Sequence, residues 1–397
     1  MKPTLLFYCQ HSVGMGHLTR SFALAEAMVE YFDVVFLNGG PFPPGINAPQ
    51  GVKIIDLPPL GMADGHALNS RDHRYSVVDA KLIRRQMILD ALHTYSPAVI
   101  LIELFPFGRK KFAFELLPLL RQARSMASRP LVVSSLRDIL VNSRPDKQHH
   151  DDRARWLSQR YFDLVLVHSD PRFARLEESF QPRKPMTIPV QYTGFVLPRR
   201  VSQKPFVRSR HVLVSAGGGM AGMPLFRAAL EAQKILWETE NIPMRLIAGP
   251  FLPEQDWQEL LLAASGREGI QLIRSVPDML AEMRIAAVSV SQCGYNTALD
   301  IVASRAPALV VPYAEGREDE QMNRSQRMEK LGLLKMLSPA SLDGIKLAER
   351  IQHMLDFKPE PNVLDLGGAA RSARIIARQC ELAGLAVSPT QGIRNVA

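Results

Sequence analysis

The 397-residue chain is poor in cysteine, in aromatic side chains and in long apolar runs. Its three cysteines, Cys9, Cys293 and Cys380, are odd in number and far apart, which excludes a disulfide framework and a cysteine metal quartet. No apolar run approaches the roughly 20 residues that a membrane-spanning helix needs. A strand pattern begins close to the N-terminus, so we expect no secretory signal and a cytoplasmic location.

The net charge of +9 is concentrated in the first half of the chain. Residues 1–200 carry 26 Lys and Arg against 18 Asp and Glu, or +8, whereas residues 201–397 carry only +1. This asymmetry indicates an anionic partner, either a phosphate-bearing substrate or a membrane surface. Nucleic acid is not expected, because aromatic content is only 7% and no nucleic-acid module pattern is present.

Short β-branched runs alternate with helical patterns, which predicts parallel sheets covered by helices. We predict strands at 4–9, 33–38, 52–56, 98–103, 131–135, 164–168, 211–215, 244–248, 270–273, 287–291 and 308–311. We predict helices at 17–31, 77–94, 112–126, 150–160, 222–239, 255–265, 297–304, 320–331, 341–355 and 369–383.

The chain is too long for one core, so we expect two doubly wound α/β domains. Their predicted limits are 1–196 and 211–362, joined by a basic, proline-containing linker at 197–210. A terminal helix and tail at 363–397 follow the break at Pro359-Glu-Pro361 and are placed to cross the domain junction.

The turn Gly14-Met15-Gly16-His17-Leu18-Thr19-Arg20 joins the first strand to the first helix. Glycines at such a turn let backbone N–H groups approach an anion, and the helix dipole favours negative charge there. His17 adds a group that can accept a proton near neutral pH. The alternative is a tight turn whose histidine caps the helix locally.

Two glycine loops follow strands in the second half. Gly217, Gly218 and Gly219 suit close approach of a phosphate or sugar to the backbone, or a packing turn. Thr297 and Asp300 either form a capping box or place a diphosphate on the Gly294–Thr297 backbone and a ribose on Asp300. Glu320 and Gln321 either complement a helix dipole or clamp vicinal sugar hydroxyls.

These residues form an ordered series that resembles the GT-B glycosyltransferases, especially the family 28 group. The series is Gly294-x-x-Thr297-x-x-Asp300, Pro307-x-x-x-Val311-Pro312, Glu320-Gln321-x-x-Arg324-Ser325 and Leu331-Gly332. The resemblance implies two Rossmann-like domains facing a cleft, with a nucleotide-sugar donor in the second domain and an acceptor in the first. It implies donor contacts from Ser215, Gly217, Gly218, Gly219, Gly294, Asn296, Thr297, Asp300, Glu320 and Gln321.

The N-terminal loop departs from the lipid-linked enzyme of that group, because Ser12-Val13 and Met15-Gly16 stand where that enzyme has glycine pairs. The pattern Gly-x-Gly-His-x-x-Arg also resembles a nucleotide-sugar hydrolase of sialic-acid-like sugar synthesis, in which the histidine serves a water nucleophile. A 2-epimerase and a non-catalytic nucleotide-sugar-binding protein on the same scaffold stay open as alternatives.

The expected reaction is inverting hexosyl transfer, including N-acetylhexosamine transfer, in cell-envelope, polysaccharide or glycoconjugate synthesis. No Asp-x-Asp triplet is present, so no metal and no cofactor beyond the nucleotide-sugar is expected. His17 is the first candidate base and Glu103 the second, with burial raising the pKa of Glu103; the alternative for Glu103 is an ion pair with Arg109 or Lys110. The predicted acceptor contacts are Gly14, Gly16, Arg20 and Arg109.

Residues 105–120 interleave aromatic, aliphatic and basic side chains. This pattern predicts peripheral contact with the anionic inner face of the cell membrane and suits a lipid-linked acceptor. The alternative is a core helix with one basic end.

Overall fold

A computed structural model describes residues 2–11, 16–42, 47–63, 67–141, 146–198, 206–314, 319–385 and 387. Its strands run, in chain order, β1 (Thr4–Cys9), β2 (Asp33–Asn38), β3 (Val52–Asp56), β4 (Leu60–Ala63), β5 (Ala67–Ser70), β6 (Val99–Glu103), β7 (Leu131–Arg137), β8 (Leu164–His168), β9 (Val190–Tyr192), β10 (Val212–Ser215), β11 (Met244–Ile247), β12 (Ile270–Ile273), β13 (Val288–Ser291), β14 (Ala308–Val310) and β15 (Lys335–Met336). The helices are α1 (Gly16–Met28), α2 (Val77–Tyr95), α3 (Ala113–Ser125), α4 (Lys147–Tyr161), α5 (Leu176–Ser179), α6 (Met223–Glu240), α7 (Glu254–Ala264), α8 (Met279–Ile285), α9 (Tyr295–Ser304), α10 (Glu320–Lys330), α11 (Gly344–Leu355) and α12 (Gly368–Leu382).

Two parallel sheets organise the chain. The first has the order β3-β2-β1-β6-β7-β8-β9, and the second has the order β12-β11-β10-β13-β14-β15. In both sheets the order reverses beside the first strand, so each is doubly wound and has a crevice at the carboxyl ends of its strands. The predicted α/β class is therefore confirmed. We call the part that forms the first sheet the first half and the part that forms the second sheet the second half.

Side chains alternate between the two faces of each strand, which explains why helices pack on both faces of the first sheet. In β1, Leu5 and Phe7 pack with α1, while Leu6 and Tyr8 face α2 and α3. In β10, Val212 and Val214 join the core under α6 and α11. A strand buried on both faces is apolar throughout, which is why the β-branched runs were readable from sequence.

The last helix returns to the first half. Ala373, Ile376 and Cys380 of α12 are buried in the same core as Leu5 and Phe7 of β1. Backbone pairing between Val196 and Gly367 fixes the chain just before this helix. The second half is thus tied to the first at both ends, although the domain limits given above stay a prediction.

The membrane patch expected at 105–120 is wrong. Phe105, Phe107 and Phe112 are 1%, 0% and 3% exposed, and the leucines of α3 lie in the core against α2. Only Lys110 and Lys111 face outward, so the alternative of a core helix with one basic end is correct. Among the described helices, none combines the length and the apolar composition required to traverse a bilayer.

Candidate active site

The candidate base lies where two neighbouring strands of the first sheet end. His17 is in the first turn of α1, which follows β1, and Glu103 is the last residue of β6. Because β1 pairs with β6, these two side chains meet, with His17 Nδ1 at 2.6 Å from Glu103 Oε1. Arg20 Nη2 donates to the same oxygen at 2.6 Å, and Arg109 Nη2 lies 3.3 Å from Oε2.

Glu103 is fully buried and ionised. Burial alone would raise its pKa, but His17, Arg109 and Arg20 outweigh burial and hold the pKa of this carboxyl below its usual range. The raised pKa expected from sequence is therefore wrong, and the ion pair with Arg109 is present. A carboxylate held by two arginines is a hydrogen-bond acceptor that orients its neighbours.

His17 is the first candidate for a proton acceptor. Burial lowers its pKa to about 3; Glu103 opposes this effect, and Arg109 and Arg20 add to it. In the neutral ring, Nδ1–H donates to Glu103, and the lone pair is therefore on Nε2. With His17 neutral, Glu103, Arg20 and Arg109 together carry a net charge of +1, which favours an anionic ligand beside them.

The second half presents a helix N-terminus to this site. Gly294 caps α9, and Asn296 Nδ2 of its first turn donates to Gly16 O at the start of α1, at 3.4 Å. Two helix N-termini therefore meet here, each favouring negative charge. A Cβ at Gly294 would meet no atom within 4 Å, so there is open space at this turn.

The start of α9 excludes one of the two interpretations of Asp300. Because α9 begins at Tyr295, Thr297 is already inside the helix and cannot be its cap. The capping-box interpretation of Thr297 and Asp300 is therefore wrong. Both side chains are half-buried on the helix that faces the cleft.

The first glycine loop of the second half divides into packing and open positions. Gly219 has φ +96° and a Cβ there would lie 2.4 Å from Ala248 O, so packing requires this glycine. Gly217 has φ +56° and open space around it. Ser215 ends β10 in register with Ser291 of β13, and Gly218 O accepts from Phe251 N.

Glu320 and Gln321 are held by protein groups, not exposed as a sugar clamp. Glu320 is 4% exposed and its carboxylate pairs with Arg324 at 2.6 Å and with Arg137. Gln321 Oε1 accepts from Cys293 N at 3.0 Å and Tyr313 N at 3.1 Å. A sugar hydroxyl would have to displace an arginine to reach Glu320, so Gln321 is the better placed of the two.

Sequence reasoning assigned no role to several residues here. Arg324 makes a two-point ion pair with Asp138 of the first half, with both contacts at 2.8 Å, and both residues are buried. Tyr295 packs over Arg20, and His168 hydrogen-bonds to Ser135 Oγ and Thr193 Oγ1. A polar residue directly after a strand is the signal that would have found Asp138, which follows β7.

Three of the four predicted acceptor contacts receive little support from the structure. Gly14 lies outside the described residues, Gly16 opens α1, and Arg20 is 1% exposed beneath Tyr295. Within the described ranges, no three His, Cys, Asp or Glu side chains are arranged to hold a metal ion.

Comparison with known proteins places this geometry in context. Residues 212–374 match the model of the glycosyltransferase family 28 C-terminal domain. An uncharacterised glycosyltransferase of Methanopyrus kandleri is 28% identical over 47% of this chain and 54% of its own length. The UDP-N-acetylglucosamine–N-acetylmuramyl-(pentapeptide) pyrophosphoryl-undecaprenol N-acetylglucosamine transferase of Solibacter usitatus is 25% identical over 41% of this chain and 43% of its own. The chain thus spans about half the length of these relatives.

Solved structures confirm the fold over nearly the whole chain. MurG of Acinetobacter baumannii aligns with a TM-score of 0.56 and 15% identity, covering 95% of this chain and 100% of that one. The calicheamicin glycosyltransferase CalG4 aligns with a TM-score of 0.58 and 15% identity, covering 97% and 96%. A Listeria monocytogenes protein assigned as a UDP-N-acetylglucosamine 2-epimerase aligns at 0.59 and 14%, covering 95% of both. The expected GT-B fold is confirmed.

Proposed function

We propose that the protein is a metal-independent, inverting glycosyltransferase, because residues 212–374 match the model of the glycosyltransferase family 28 C-terminal domain. It moves a hexose or N-acetylhexosamine from a nucleotide diphosphate-sugar to an acceptor hydroxyl. The observation that carries the proposal is the His17–Glu103 pair, which lies opposite the N-terminus of α9.

The reaction is a single displacement. His17 Nε2 takes the proton of the acceptor hydroxyl while that oxygen bonds to the anomeric carbon, and the bond from this carbon to the diphosphate oxygen breaks. Attack from the face opposite the leaving group inverts the configuration. Proton abstraction of this kind contributes on the order of 10²–10⁴-fold.

The leaving diphosphate gains negative charge, which preorganised donors can stabilise. We assign this role to the N-termini of α1 and α9 and to the loop at Gly217 and Gly218, with the uncompensated positive charge of Arg20 and Arg109 nearby. Asp300 is assigned to the donor ribose and Gln321 to the donor sugar. Ser215, Gly219, Asn296 and Thr297 complete the assigned donor side.

The donor would also strengthen the base. A histidine whose pKa is about 3 is a weak base at neutral pH. A diphosphate beside it adds negative charge that favours the imidazolium, so the pKa of His17 rises when donor is present. Glu103 then faces a cation that it can stabilise, since its carboxylate already accepts the Nδ1 hydrogen.

The acceptor side suits a lipid-linked substrate and peripheral membrane contact, although through a different surface from the one predicted. Val78 and Leu82, one turn apart near the start of α2, are 66% and 61% exposed. Lys81 and the exposed Arg85 lie on the same helix. The helix α2 begins at the carboxyl edge of the first sheet, the edge at which His17 and Glu103 also lie. We call this apolar and basic surface the α2 surface.

Thermal shift with UDP-, GDP- and dTDP-sugars tests donor binding, because a ligand at about 100 Kd stabilises by roughly 2.7 kcal/mol. Product analysis of the stabilising donor, with and without envelope lipid extract, then tests the reaction. Acceptor-dependent nucleotide release supports transfer. Equal release without acceptor indicates a hydrolase, a new sugar epimer indicates an epimerase, and binding without any product indicates a non-catalytic binder; each of these results overturns the proposal.

A further inference from the structure

Tyr295 belongs to the second half by sequence but is bonded into the first half. It is the first residue of α9 and is 6% exposed. Its hydroxyl accepts from Val196 N at 3.0 Å and donates to His168 O at 3.1 Å. His168 ends β8, so the start of α9 is anchored directly to the carboxyl edge of the first sheet.

The ring of Tyr295 contacts two arginines that serve different ion clusters. Arg20 Cζ lies over the ring at 5.2 Å from its centroid, and Arg324 Cζ lies over it at 5.9 Å. Arg324 is held by Asp138 and Glu320, whereas Arg20 donates to Glu103, which accepts from His17. A cation over an aromatic face is stabilised, more so where water is excluded.

The Tyr295 ring forms part of the buried environment of Arg20. Its side chain is 2% exposed, and among the described residues its buried Nε has no hydrogen-bond partner. Its carboxylate partner is Glu103, through Oε1, the atom that also binds His17. The Tyr295 ring, which belongs to the second half, therefore shields Arg20 of the first half. Arg20 in turn fixes Glu103, the carboxylate that orients His17.

We propose that Tyr295 is a positioning residue, which shields Arg20 and Glu103 from water and keeps the His17–Glu103 pair correctly oriented only while the two halves of the chain are in contact. The proposal rests on the glycosyltransferase function proposed above and adds one condition, that the two halves are in contact when His17 acts as the base. Separation of the halves would withdraw the ring, admit water to Arg20 and Glu103, and release His17 to an ordinary hydrated environment. Proton abstraction would then be confined to the closed molecule.

The charged and titratable groups that face His17 support a pH readout. They are Glu103 of β6, Arg20 of its own helix, and Arg109 of the loop after β6, with His168 behind Tyr295 at the end of β8. Burial is the largest cause of the lowered pKa of His17, so admitting water returns this pKa toward its ordinary value of about 6.5.

The test compares three variants with the wild-type protein. Y295F keeps the ring and removes the hydroxyl, Y295L removes the ring, and Y161L is the matched control. Tyr161 is also buried, at 7% exposure, and Arg160 Cζ lies 5.8 Å from the centroid of its ring. It differs from Tyr295 in its place, because it is the last residue of α4. The readouts are the pH profile of kcat/KM for the stabilising donor and the ring signals of His17 in ¹⁵N-histidine-labelled protein, assigned with H17Q.

We expect wild type, Y295F and Y161L to show no histidine ionisation in kcat/KM between pH 5 and 8. We expect Y295L to lose about tenfold in rate per pH unit below about 6.5, with the His17 signals titrating there. A flat profile and unshifted His17 signals in Y295L would overturn the proposal. The same loss in Y161L would show a general effect of tyrosine removal and would also overturn it.

If Y295L does not fold, pentafluorophenylalanine at position 295 is compared with Y295F. The two rings share a shape, but only phenylalanine attracts a cation. Equal His17 signals in both would overturn the role of the ring. The histidine signals report the coupling without turnover, so failure of the proposed reaction and failure of this inference are separable.

Discussion

His17 and Glu103 lie 86 positions apart, yet Nδ1 of one is 2.6 Å from Oε1 of the other. The parallel pairing of β1 with β6 produces this contact, because His17 lies beyond the carboxyl end of β1 and Glu103 is the last residue of the adjacent strand β6. The contact directs the imidazole lone pair on Nε2 away from the carboxylate. The chemistry of the site follows from that orientation.

The variant E103Q removes the charge that holds His17 in this orientation. We expect nucleotide release from the donor to fall on the order of 10²–10⁴-fold, because the tautomer is no longer fixed and the imidazolium loses its partner. The matched control is E115Q, since Glu115 is equally buried in the same half and paired with Arg84 at 2.6 Å. Both variants lose stability, but only E103Q loses rate beyond the loss of folded protein; equal rates would contradict the orienting role.

His168 makes the folded state sensitive to acid. Burial lowers its pKa to about 3, whereas in the unfolded chain it is about 6.5. Between these values the unfolded state binds a proton that the folded state does not, so stability is complete above pH 6.5 and falls as the pH drops. The expected loss is about 2 kcal/mol between pH 6.5 and 5.

Urea unfolding at the two pH values measures this difference, and H168Q serves as the comparison. His17 contributes a slope of the same sign, because its pKa is also lowered to about 3. H168Q should therefore reduce the pH dependence without abolishing it. An unchanged dependence in H168Q would contradict the assignment of a buried neutral ring.

The ion pair between Asp138 and Arg324 joins the two halves. Both side chains are buried, so D138N removes the two-point contact from Arg324, which is left to share the Glu320 carboxylate with Arg137, and should cost about 3–5 kcal/mol of unfolding free energy. R227Q is the control, because the Arg227–Glu259 pair is exposed and worth about 0–1 kcal/mol. Chemical denaturation measures both, and similar losses would mean that the buried pair does not join the halves.

The α2 surface should carry any binding to anionic membranes. We expect the double variant V78S/L82S to reduce co-sedimentation with anionic vesicles several-fold, because both exposed side chains lose their apolar surface. L262S is the control, since Leu262 is 77% exposed in the second half. Equal binding by the wild type and V78S/L82S would contradict the assignment of membrane binding to the α2 surface.

Strand positions and the doubly wound order were predictable because buried parallel strands are continuous apolar runs. The short strands β9 and β15, the hairpin of β4 and β5, and helices α5 and α8 were missed, since elements of two to seven residues carry too little periodicity. The aromatic side chains at Phe105–Phe112 were wrongly predicted to be exposed, because their burial depends on which elements of the fold pack over them. The lowered pKa of Glu103 depends on His17, Arg109 and Arg20, and only the fold brings His17 and Arg20 to this carboxyl from 86 and 83 residues away.

The most direct test of the account is nucleotide release by H17Q from the donor that stabilises the wild-type protein, measured with donor binding followed by thermal shift. We predict that H17Q binds the donor with an unchanged shift and that its turnover falls at least 10²-fold, because the base is gone while the donor side is intact. Turnover of H17Q within a few-fold of wild type would contradict the central claim that His17 accepts the proton.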